Sequence, residues 1–137
     1  MNARTPEGLG MIRHQQSLSI ATIEPDADEP EWAFGETFLA TIHTARETVV
    51  VCRTDQVPSY VQAHGPYTAY EVSHHLDPSH PGILKALSRA PARAGISLMP
   101  FSTFDRGWIL VARADSRALE DAWEKDGIPV TPSGDPE

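Results

Sequence analysis

Ser102, Thr103 and Asp105 fall within four residues, with Phe104 between them and Trp108 just beyond. Two hydroxyls and a carboxylate set this closely can hold a small molecule. Asp105 accepts hydrogen bonds from an ammonium, and Ser102 and Thr103 add hydroxyls and main-chain polar groups. Phe104 or Trp108 can wall a side-chain pocket. The same residues also suit a plain turn started by Asp105, with Phe104 and Trp108 in the core. Other chemistries are poorly supported. His74, His75 and His80 invite a metal, but adjacent strand residues point to opposite faces, so His74 and His75 do not share one ion. Cys pairs and His-Glu-x-x-His are missing from the sequence, so no metal is expected. Gly-x-Ser-x-Gly and Gly-rich phosphate loops are missing too. Close carboxylates occur in the run from Asp26 to Glu31, which reads as solvated surface. The expectation is a protein without catalytic residues and without a cofactor.

The whole chain narrows the classes further. Its 137 residues suit one domain or two small fused units. Nineteen acids against 11 Lys plus Arg give a formal charge of −8, with no cationic cluster, so nucleic acid and anionic membrane surfaces are not expected partners. No apolar run approaches the roughly 18 residues of a membrane span. The first residues lack the pattern of a secretory signal. The lone Cys52 forms no internal disulfide and reads as a buried strand residue, which fits a reducing cytoplasm.

The elements that must position these groups follow from periodicity. Residues 1–16 and 132–137 are polar and read as loose ends. Residues 18–23 alternate apolar and small polar side chains, as a half-buried strand does. The segment 24–32 carries five acids and two prolines and reads as a solvated loop. Residues 38–43 and 48–52 suggest a hairpin, and residues 67–72 a further strand. Ile83, Leu84, Leu87, Ala90 and Ala94 recur at helical spacing. Pro91 lies inside that helix, where it removes a hydrogen bond to the Leu87 carbonyl, and Gly95 stops it. Strands follow from Ile96 and over 108–111. A second helix starts at Asp115, with Leu119, Ala122 and Trp123 on one face, and Gly127 ends it. Ile128, Pro129 and Val130 suggest a short edge strand. The second half therefore reads β-α-β-β-α-β, a ferredoxin-like order in an α+β protein.

Within that half, Gly82-Ile83-Leu84, Ala90-Pro91, Ala94-Gly95-Ile96-Ser97 and Ser102-Thr103-Phe104-Asp105 resemble the C-terminal half of the small tandem ACT-domain proteins. That group is similar to the cytosolic arginine sensors of animals. The resemblance extends from about Ser17 to Val130, more loosely in the first half. It implies tandem ACT-type units: a degenerate one over 17–66 and a complete one over 67–131. It also implies non-catalytic binding of a small effector, an amino acid, in a regulatory or sensor role, and a homodimer. The alternative is a protein–protein adaptor that has lost its ligand.

In that topology residues 77–82 face residues 102–105. A helix start at Gly82 offers unpaired N–H groups to a carboxylate, and glycine lets the backbone approach closely. The implied ligand-binding set is His80, Gly82, Ile83, Ser102, Thr103, Phe104 and Asp105. Arg106-Gly107 stands where related sequences carry Thr and a second acid, which favours a neutral or acidic ligand over a cationic one.

Overall fold

Period-two alternation builds the strands, and a computed structural model describes residues 8–34, 38–73, 82–103 and 106–134. In chain order these form β1 (Met11–Ile23), β2 (Ala40–His43), β3 (Thr48–Arg53), β4 (Ala63–Val72), α1 (Gly82–Ala94), β5 (Met99–Ser102), β6 (Gly107–Ala112), α2 (Ser116–Lys125) and β7 (Val130–Pro132). The strand order is β2-β3-β1-β4-β6-β5, and β7 lies parallel to the first residues of β1. The fold is mixed α+β. The chain divides into two compact units, one of residues 16–67 and one of residues 8–15 with 68–134.

In the unit of residues 16–67, β1 pairs antiparallel with β3 and β3 with β2. Ala21, Ala33, Val50 and Cys52 form its core, joined by Trp32, Val57 and Val61. The acidic stretch before Trp32 is largely exposed, as its charges require. Gly65 sits at φ 143°, and a Cβ there would lie 3.0 Å from the Leu18 carbonyl oxygen, so glycine permits the close approach of the two backbones.

In the other unit, β4-α1-β5-β6-α2-β7 follows the ferredoxin-like order, but β7 pairs with β1. The core joins Met11, Tyr70, Val72, Leu87, Ile109, Val111, Leu119, Trp123 and Ile128. α1 ends in a Schellman-type turn: Gly95 adopts φ 73° and the Ile96 N–H donates to the Pro91 carbonyl at 2.9 Å. Pro91 has no N–H to offer Leu87, and the Trp123 indole N–H donates to that buried carbonyl instead, at 2.8 Å. α2 is held a second time through Glu120, which accepts from Arg13 and from the Tyr70 hydroxyl, both at 2.6 Å.

Three readings need correction. Residues 11–16, expected in a loose tail, are strand, because Met11 enters the core and Arg13 finds Glu120. Leu84 and Ala94 do not line the core. Leu84 is 53% exposed, and the inner face of α1 is Ala86, Leu87, Ala90 and Pro91. The strand expected from Ile96 begins at Met99.

Trp123→Phe should destabilise the protein by about 1–3 kcal/mol, the cost of an orphaned buried carbonyl. Pro91→Ala restores a backbone donor four residues after Leu87, so it should stabilise the Trp123→Phe background more than the wild type. Urea unfolding of the four proteins reads the coupling. Equal gains in both backgrounds would show that the indole and the missing N–H do not compete for one carbonyl.

Candidate functional site

The Ser102–Thr103 segment closes the β5–β6 hairpin. Phe101 pairs with Trp108 and Ser102 with Gly107. Beyond the last strand pair the Thr103 N–H donates to the Arg106 carbonyl at 2.9 Å, with the Thr103 hydroxyl at 3.4 Å from the same oxygen. Ser102 and Thr103 are exposed. The Arg106 guanidinium reaches back to Glu71, with Nη1 3.7 Å from Oε2. Glu71 is next to last in β4, so this contact sets the hairpin turn beside the strand end from which the chain runs on toward α1.

At the start of α1, Gly82 is partly exposed, and Ile83 packs against the core rather than standing free. The first turn of α1 carries no acidic side chain. Among the described residues, no hydrogen bond joins Gly82 or Ile83 to Ser102 or Thr103. His80, Phe104 and Asp105 lie outside the described residues.

Sequence reasoning missed a cluster on the sheet surface away from the helices. Tyr70 and Val72 point into the helix-side core, so Glu71 points the other way; Ile109 likewise sends Trp108 there. His14, 7% exposed, meets Glu71 with Nε2 3.0 Å from Oε1. The His14 ring stacks on Trp108 at 4.9 Å between centroids, 29° between planes. The signal for Glu71 and Trp108 was their alternation with core residues. His14 had none, because its stretch reads as a polar tail.

The described groups do not assemble a nucleophile with a base. The buried Cys52 thiol is pushed up to about 11, first by burial and then by the nearby Asp55 charge, so it stays protonated at neutral pH. Burial, then the Glu120 hydrogen bond, raises Tyr70 well above the usual phenol range. Among the described residues no three His, Cys, Asp or Glu side chains gather as metal ligands. No described helix is long and apolar enough to cross a membrane.

The arrangement matches ferredoxin-like, ACT-type folds, and solved structures share it. A protein from Agobacterium tumefaciens, Atu0741, is similar over 99% of this chain and 98% of its own, at 22% identity and a TM-score of 0.86. VC0802 from Vibrio cholerae, described as a possible transport protein, matches over 86% and 89%, at 13% identity and a TM-score of 0.67. The ligand-free regulatory subunit of aspartate kinase from Thermus thermophilus matches over 85% and 97%, at 12% identity and a TM-score of 0.62. At these identities the likeness is one of fold. No family model and no curated protein matches the chain.

The Cys52 environment has a direct consequence. An acid whose folded pKa is raised keeps its proton in the native state while the unfolded thiol loses it, so stability should fall as pH climbs from about 9 toward 11. Cys52→Ser should flatten that part of the urea-unfolding profile. At pH 8 the native thiol should resist an aromatic disulfide reagent that labels the denatured chain at once. Rapid native labelling would show an accessible thiolate.

Proposed function

We propose that this chain is a non-catalytic regulatory protein of ACT type that binds a small effector, an amino acid, between the start of α1 and the β5–β6 turn. The observation that carries the reading is the Arg106–Glu71 contact, which brings the turn beside the end of β4 that leads to Gly82. An acid-free first turn of α1 suits the effector carboxylate, and Asp105 is the counter-charge for its ammonium. His80 and Phe104 are assigned to the same pocket, with Gly82, Ser102 and Thr103. Ile83 supports it from the core. The fold shared with an aspartate kinase regulatory subunit supports the regulatory role. The same reading takes residues 17–66 and 67–131 as two ACT-type units in tandem.

A second reading, a protein–protein adaptor without a ligand, is favoured by one observation. Phe34, Leu39, Ile42 and Tyr60 in the unit of residues 16–67 are exposed large apolar side chains.

A thermal-shift series with each of the twenty amino acids separates the two, since a specific effector raises the melting point by mass action. Calorimetric titration of the responding amino acid into Asp105→Ala should show affinity weaker by about one to two decades, the equivalent of roughly 1.5–3 kcal/mol for a charged hydrogen bond. Urea stability should change by no more than about 0.5 kcal/mol. Gly82→Val should weaken binding as well. No shift with any amino acid favours the adaptor, and unchanged affinity with lowered stability makes Asp105 a turn residue.

The reading also carries a homodimer, because open sheet edges of this kind are commonly paired. Light scattering should give twice the 15.0 kDa chain mass. A monomer at high micromolar concentration would exclude it.

A further inference from the structure

We propose that Glu71 is a positioning residue of the candidate site, holding the Thr103–Arg106 closure of the β5–β6 hairpin in place through Arg106. The inference rests on the functional reading above for its purpose, while its geometry lies wholly within the unit of residues 8–15 and 68–134. The Glu71 carboxylate touches both arms of the cluster. Its Oε1 meets His14 Nε2 at 3.0 Å, and its Oε2 lies 3.7 Å from Arg106 Nη1. The side chain is 18% exposed, so its charge is only partly screened by water.

The His14 contact makes Glu71 a fixed anchor rather than a swinging one. His14 is itself pinned, because its ring lies against Trp108. Trp108 follows Arg106 by two residues, so the hairpin meets the anchor twice, once by charge and once by ring contact. Arg106 meanwhile supplies the carbonyl that closes the turn on Thr103. A movement of the Arg106 side chain therefore pulls on the backbone that presents Ser102 and Thr103. Arg106, with Gly107, departs from the related pattern. Its cation lies toward Glu71, while the described Ser102 and Thr103 are exposed. Two residues beyond Glu71 the Ser73 N–H donates to the Gly10 carbonyl at 2.9 Å, which ties the end of β4 to the residue before β1.

Amide hydrogen exchange of the full-length chain, read by NMR, tests this without any effector. Glu71→Gln and Arg106→Gln should each speed exchange of the Thr103 amide by roughly two- to fivefold relative to the Leu110 amide, the range that a half-exposed ion pair supports. Arg106→Lys keeps the charge and should hold the wild-type ratio. The double variant should be no worse than either single one. Unchanged Thr103 exchange in Glu71→Gln, additive effects in the double variant, or equal losses in Arg106→Lys and Arg106→Gln would overturn the proposal. So would a wild-type Thr103 amide that exchanges at the unprotected rate. If Glu71→Gln fails to fold through loss of the His14 contact, the two Arg106 variants decide the matter alone. An amino-acid screen without a response removes the functional reading and leaves this result standing.

Discussion

The hydrogen bond from the Trp123 indole to the Leu87 carbonyl is the point on which the helix-bearing unit turns. It exists because Pro91, inside α1, has no N–H to give. A buried carbonyl without a donor costs about as much as several methylenes of burial gain. Trp123 therefore has to reach α1, and its ring orientation fixes how α2 lies against α1. The same ring meets Tyr70 edge-on at 5.2 Å, so the helix pair is registered to β4 as well. Tyr70 in turn donates to Glu120, and Glu120 accepts from Arg13. One missing donor in a helix thus organises contacts on four elements.

The strands of this unit carry two acid-centred networks back to back. Arg13 and Tyr70 point to the helices and share Glu120; their chain neighbours His14 and Glu71 point away and pair with each other. Strand geometry sends consecutive residues to opposite faces, so each pair serves both faces at once. The helix-side network is a packing device. The outer one reaches the hairpin turn and is where the proposed effector chemistry meets the scaffold. This division explains why the cluster of His14, Glu71 and Trp108 contains charge without a nucleophile.

The elements with strong local signals were legible. Pro91 and Gly95 marked the course and end of α1, the hairpins showed apolar alternation around polar turns, and Cys52 read as buried. The start of β1 was not legible. Arg13, His14 and Gln16 are polar, and Arg13 and His14 are drawn inward by Glu120 and Glu71, which lie 107 and 57 residues away. No local pattern carries such information. Leu84 misled in the opposite sense, since its helical spacing suited the core while the small Ala86 took the inward place. At the candidate site, the turn and the start of α1 were visible as sequence motifs. The contact that ties the turn to the end of β4 was not, because Glu71 looks like any strand acid until Arg106 is seen beside it.

Pro100 gives the ladder of strands a polarity of another kind. Thr103 and Arg106 form a hydrogen-bonded pair at the hairpin tip, and such pairs alternate along an antiparallel ladder. Counting back, Pro100 and Ile109 fall at a position whose main-chain groups point away from each other. The donor that proline lacks is therefore one that would have faced outward from β5, the terminal strand of the order. A strand arriving at that edge finds a gap in the row it must match. Fibrous growth by edge addition needs competent edges at both ends of the ladder, so a proline at one end restricts edge-to-edge growth to the other and keeps a sheet-rich chain from extending without limit.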